Sequence, residues 1–179
     1  AALQSYQAAL AIAERLARAD PGNSQWQRDL SVSHIKIGDV QRGQGSLTAA
    51  LQSYQAALAI AERLARADPG NSQWQRDLSV SHIKIGDVQR GQGSLTAALQ
   101  SYQAALAIAE RLARVDPGNS QWQRDLAVSL ERLAGFPNSG VSWQVVVDQY
   151  NKLQAAGTLL PGDVEFAEQA RRRAQGSPP

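Results

Sequence analysis

Apolar residues recur at three- and four-residue spacing along most of the chain. Leu95, Leu99, Tyr102, Leu106, Ala109 and Leu112 fall on one side of a helix if the segment "LTAALQSYQAALAIAERLARV" is helical. The run ahead of it, "SQWQRDLSVSHIKIGDVQRG", carries a second helical stripe and stops at two glycines in "RGQGS". Ser72 with Gln75 reads as a capping box that starts this helix near Gln73, and Ser94 can cap the next one. "DPGN" ends that second helix, since proline cannot continue it and glycine permits a sharp turn. Each helix should be about 30 Å long at 1.5 Å per residue. No stretch alternates with period two, so no strand is predicted.

The same pair of helices is written more than once. Residues 1–48 and 49–96 are identical, and a third copy from Asn119 decays into "NSQWQRDLAVSLERLAGF". A fixed period in this range marks a repeat architecture. With helix A the first and helix B the second of each pair, the pattern predicts a lone helix B over 2–19, hairpins over 25–67 and 73–115, and a last helix A over 121–134. "VSWQVVVDQYNKLQAAG", with Ser142 at its start, and a short helix over Val164–Arg173 then form a two-helix cap within 141–174. Trp143, Val146, Tyr150, Leu153 and Phe166 are expected to face the last repeat. "RRRAQGSPP" reads as a solvated tail, disordered over 175–179. Identity at this level suggests recent duplication or deliberate construction, and a start in mid-repeat suggests a piece of a longer protein.

The stretch "HIKIGDVQRGQGSLTAALQSYQAALAI" resembles the tetratricopeptide repeat. Ile85-Gly86 stands for the large–small pair of helix A, Gly93 for the turn, Ala98, Tyr102 and Ala105 for the small–aromatic–small set of helix B, and Pro117 for the close. The first copy supplies Ile37-Gly38, Gly45, Ala50, Tyr54, Ala57 and Pro69. His34 and His82 stand where that family usually has tryptophan. The period of 48 exceeds the family's period of about 34, with the excess shared between the two helices. The repeats look most like a bacterial long-period tetratricopeptide-like group, whose arrays serve as the sensor or interaction portion of larger proteins. The resemblance covers about residues 1–134 and implies an all-α, right-handed α-solenoid of antiparallel helix hairpins. It also implies that helix A lines a concave wall, with Val32, Ile35, Asp39 and Arg42, then Val80, Ile83, Asp87 and Arg90, pointing inward. Extending that stripe backwards adds Arg28, Arg76 and Arg124. Such a wall would be an apolar floor with Arg and Asp rims, suited to a peptide or helix of a partner protein. The Lys and Asn that would grip a C-terminal carboxylate are absent from it.

Composition narrows the remaining choices. Lys and Arg exceed Asp and Glu by only two, 18 against 16, and 15 of the basic residues are Arg. The pI of about 9.2 therefore overstates the basicity, and nucleic-acid binding is not expected. Arg171–Arg173, at the chain end, reads as solvated, and Trp26, Trp74 and Trp122 as packing between hairpins rather than stacking on bases. Without cysteine there is no disulfide or thiolate metal site. No apolar run approaches the roughly 18 residues of a membrane span, and no signal-peptide pattern appears, so a cytoplasmic setting is the expectation. The histidines His34 and His82 occupy one repeat position, where the third copy has Leu130. A leucine substitute fits packing better than catalysis or ligation. "GQGS" follows a helix and lacks the lysine of a phosphate loop. No enzyme, metal or cofactor is expected. The expected function is a non-enzymatic protein-binding scaffold. The rival is self-association into a homo-oligomer through the apolar outer face of the N-terminal helix.

Overall fold

The computed structural model describes residues 2–136 and 138–176. Among them are eight α-helices and no strand: α1 Ala2–Ala19, α2 Ser24–Gly43, α3 Leu47–Ala67, α4 Ser72–Gly91, α5 Leu95–Val115, α6 Ser120–Ala134, α7 Trp143–Ala155 and α8 Pro161–Ala174. The helices pack consecutively along the chain. They divide into two compact units, Ala1–Ser101 and Tyr102–Pro179.

In the first unit α2 and α4 are capped by asparagine rather than serine. Asn71 has an extended backbone, and its side-chain oxygen accepts the Trp74 amide at 3.1 Å. Asn23 does the same for Trp26 at 3.1 Å. Ser72 is thus the first helical residue, and Gln75 is released from the expected capping box. Its Nε2 instead donates to the Ala65 carbonyl at 3.1 Å. Gln27 likewise donates to Ala17 at 3.2 Å. Those carbonyls lie in the last turns of α3 and α1, where no helical partner exists, so each buried glutamine ties a helix start to the preceding helix end. Ser46 sits at the N-cap of α3 but makes no side-chain cap bond.

The turn between α2 and α3 depends on the second of its glycines. Gly45 has φ +75, and the Ser46 amide donates back to the Gln41 carbonyl at 2.9 Å. This left-handed residue closes the helix end in a way a β-carbon would oppose. Gly93 repeats it with φ +77.

The core of this unit gathers Ala50, Tyr54, Ile85 and Val88, with Ile35, Leu47, Leu51 and Leu58 packed against them. Tyr54 is wholly buried, with its ring close against Gly38 of α2. A β-carbon built on Gly38 would sit 2.6 Å from the Tyr54 ring.

In the second unit, Ala127, Leu130, Val146, Val147, Tyr150, Leu153, Ala167 and Ala170 form one cluster, with Trp143 packed against it. Phe166, expected to face inward, is 45% exposed. Helix α8 approaches through Ala167 and Ala170 instead, since three-residue spacing puts these two small residues on one side and Phe166 beside it. The same helix begins three residues earlier than expected. Pro161 suits its first position, and the Asp163 carboxylate accepts the Leu160 amide at 3.0 Å. Ser142 occupies the N-cap of α7 without a side-chain cap bond.

The arginine run is helical rather than a tail. Arg173 stacks over the Trp143 ring at 4.6 Å, and Arg171 donates to Asn151 and Gln154 at 3.1 and 3.0 Å. Guanidinium groups on an aromatic face and on side-chain oxygens hold the last turn of α8 in place. Gln175 and Gly176 close that helix. The rest of the expected disordered tail, residues 177–179, lies outside the described residues.

The Gly38–Tyr54 contact makes a direct stability prediction. Gly38→Leu forces a side chain into a buried ring and should lower the unfolding free energy by about 2–3 kcal/mol in urea denaturation. Gly43→Ala meets nothing within 4 Å and should change stability by less than about 1 kcal/mol. Equal losses for the two would refute the close-approach account.

Candidate functional site

The expected wall can be followed residue by residue on α2 and α4 in the first unit. Positions 28, 32, 35, 39 and 42 share one stripe of α2 because they are spaced by four, three, four and three residues.

The charged members are engaged with one another across the two helices. Arg28 makes a two-pronged contact with Asp77, Nε to Oδ2 at 2.5 Å and Nη2 to Oδ1 at 3.3 Å. Both side chains are largely buried, and the carboxylate hydrogen bond raises the Arg28 pKa above its ordinary value. Asp39 accepts two donors at one oxygen, the Tyr54 hydroxyl at 2.7 Å and Lys84 Nζ at 2.6 Å. Arg42 lies 3.6 Å from Asp87 and is the most exposed of these partners. That pair is worth less than the Arg28–Asp77 pair, because water screens it and the long side chain loses freedom.

Between the two charged levels lies an apolar window. Val32 is 36% exposed, and Ile35, Val80 and Ile83 are half-buried. Ile35 also leans on the Tyr54 core, so part of the expected floor is interior packing. Arg76 is half-buried and Arg90 exposed on α4. Arg124 lies in the second unit, where its Nε is 3.3 Å from Asp163 Oδ2 but off the angle of a hydrogen bond. Helix α8 therefore engages that arginine.

Three contributors escaped the sequence reading: Asp77, Lys84 and Tyr54. Their signal was present in the repeat itself. Arg28 and Asp77 are 49 residues apart, and Asp39 and Lys84 are 45 apart. Such separations place opposite charges within one turn of the matching position in the next copy. Tyr54 enters the sequence pattern only as the aromatic of the small–aromatic–small set, yet its hydroxyl is part of the wall's polar network. Burial and the Asp39 contact push its pKa well above the usual tyrosine range.

His34 and His82 are half-buried, and burial lowers both pKa values, with Glu14 and Glu62 respectively opposing the shift. Among the described residues no group of three His, Cys, Asp or Glu side chains is arranged to hold a metal. No described helix is long and apolar enough to cross a membrane.

The second unit carries an open cleft of about 540 Å³ lined in part by Arg114, Gln123, Leu126, Gln149, Lys152 and Thr158. Its buried Gln149 is satisfied internally, donating to the Gln123 carbonyl at 3.0 Å and to its side-chain oxygen at 2.9 Å.

No protein-family profile matches the chain, and no curated protein matches it. Among solved structures, the crystal structure of BtubC (BKLC) from P. vanneervenii is similar at 14% identity and a TM-score of 0.34, over 99% of this chain and 92% of that one. A likeness at that level leaves the reading of the site to the chain's own residues.

The histidines carry a pH prediction. A histidine whose folded pKa lies below its unfolded value of 6.5 binds fewer protons when folded. Its contribution is present above pH 6.5 and is lost as pH falls through the lower folded pKa. Replacing both, His34→Leu with His82→Leu, copies the buried Leu130 of the third copy. Urea midpoints at pH 7.5 and pH 5 should show a smaller acid loss for the double variant than for the parent. An unchanged acid loss would assign that sensitivity to other groups.

Proposed function

We propose that the α2–α4 face is a protein-interaction surface that takes a peptide or helix from a partner, with no catalytic step. The chain is then a right-handed α-solenoid of tetratricopeptide-like antiparallel hairpins with a 48-residue period, closed by the two helices of 141–174. The sequence resemblance and the recurrence of helix bounds between α2–α3 and α4–α5 support that architecture. One observation carries the functional reading: Val32, Ile35, Val80 and Ile83 stay partly open to solvent while the charges above and below them are paired. Ion pairs already made within the wall hold its two helices in register before any partner arrives. A partner therefore gains by covering the apolar window and loses if it must break Arg28–Asp77 or Asp39–Lys84. The surface favours an amphipathic helix with a small apolar face over a strongly charged peptide. Near-balanced net charge, +2, argues against a nucleic-acid partner, and a cytoplasmic protein is the setting in which such a scaffold would work.

Selection from a displayed library of helical peptides against the 179-residue chain tests the reading. Selected peptides should shift NMR signals of Val32 and Val80, and Val32→Glu with Val80→Glu should weaken their binding about tenfold or more, roughly 1.4 kcal/mol. Peptides that bind the double variant as tightly as the parent would place the interaction elsewhere.

A further inference from the structure

In the second unit, three charges and one hydrogen-bond acceptor with no partner in the protein meet at a single cleft. Glu110 and Arg114 are four residues apart on α5 and so share a side of that helix; Gln149 and Lys152, three apart on α7, do the same. All four line the cleft of about 540 Å³. Leu126 of α6 and Leu153 of α7 give it an apolar part, and Leu153 is only 2% exposed. A volume of this order lies within the range of small-molecule sites, roughly 300–1,000 Å³.

Gln149 is the fixed element. It is 3% exposed, and its amide nitrogen donates to the main-chain and side-chain oxygens of Gln123 at 3.0 and 2.9 Å. Two oxygen acceptors identify that end of the amide as the nitrogen. Gln123 is held in turn, its Nε2 donating to the Ala113 carbonyl at 3.1 Å. As a donor Gln149 is therefore satisfied within the protein. As an acceptor it is not, for no hydrogen bond among the described residues reaches its Oε1. Arg124 Nε is the one side-chain polar atom among the described residues that is both sealed from solvent and unpartnered. Oε1 is thus open, and the cleft is what it opens on. An acceptor held in a buried side chain favours a ligand that brings a donor.

The charges surround this oxygen with both signs. Glu110, Arg114 and Lys152 are exposed, and none of their side chains makes a hydrogen bond or ion pair among the described residues. Arg28, Asp39 and Lys84 of the first unit are engaged with protein partners by contrast.

We propose that this cleft binds a free α-amino acid with an apolar side chain. The ammonium group of the ligand donates to Gln149 Oε1 and faces the Glu110 carboxylate. Its carboxylate meets Arg114 from α5 and Lys152 from α7, and its side chain lies on Leu126 and Leu153. Cations alone would select any anion, and a carboxylate alone any amine. Both signs around a neutral acceptor select a molecule that carries both charges. The buried oxygen sets the orientation, because water screens the exposed charges and limits what each contributes. The site shares no residue with the α2–α4 face, so each reading stands or falls separately.

Titration of L-leucine into the full 179-residue chain, followed by NMR, tests the proposal. Saturable shifts are expected at the Leu126 and Leu153 methyls and the Gln149 side-chain amide, with a Kd of about 1 mM or below. N-acetyl-leucine lacks the ammonium group and leucinamide lacks the carboxylate; each should bind about tenfold or more weakly. Lys152→Ala and Glu110→Gln alter exposed side chains without partners, so the fold should be kept, as circular dichroism will check. Each should weaken leucine binding about threefold or more, while Glu110→Gln should not weaken N-acetyl-leucine further. The proposal is overturned if no saturable shift appears up to about 10 mM leucine, or if the shifts lie outside the cleft. It is overturned as well if either analogue binds as tightly as leucine, which would make the cleft a plain anion or amine site, or if both variants bind leucine like the parent.

Discussion

The first unit depends on one close approach, the Tyr54 ring against the backbone of Gly38. Without a β-carbon at position 38, α2 can come near enough for the ring to be wholly enclosed. Burial of such a side chain is worth roughly 2–3 kcal/mol. The approach also sets the hydroxyl where Asp39 can accept it, and Asp39 holds Lys84 of α4 at the same oxygen. One glycine thus links three helices: α2 by its backbone, α3 by the ring, and α4 by the lysine. The apolar window between the ion pairs exists because this node fixes the spacing of α2 and α4.

The chain also shows that sequence does not by itself assign an environment. Tyr6 and Tyr54 have identical neighbours for five residues before them and for more than forty after, yet one is open and the other enclosed. The difference lies in tertiary cover alone. The same glutamines, Gln27 and Gln75, that look like exposed polar residues become buried ties to the ends of α1 and α3. Repetition multiplies these ties, since each copy brings both the donor and the carbonyl it meets in the preceding helix.

Helix positions were legible because glycine, proline and the 3.6-residue period are local signals. The bounds of α2 and α4 differ from expectation by about one residue, and that residue is the cap. Asparagine in "DPGN" was read as turn material, whereas its side chain is the acceptor that starts the helix. The candidate wall was legible as a stripe but not as a network. Asp39 and Asp87 were read as rims facing solvent, and the pairing with Lys84 and Arg42 depends on contacts 45 residues away in sequence. Phe166 and Arg173 were misplaced for the opposite reason. A large apolar residue was assumed to go inside, while two alanines allowed α8 to pack closely and left the ring at the surface. The arginines were judged by position near the chain end, and Trp143 gave one of them a face to stack on.

Cover by α2, through Gly38 and Asp39, sets the difference between two helices of the same sequence. Amide hydrogen exchange followed by NMR measures that directly, residue against matched residue. Amides of 57–65 in α3 should exchange about tenfold or more slowly than those of 9–17 in α1, because opening α3 requires losing the buried tyrosine seam. Equal protection of the two segments would contradict the claim and leave the Gly38–Tyr54 contact without the role given to it.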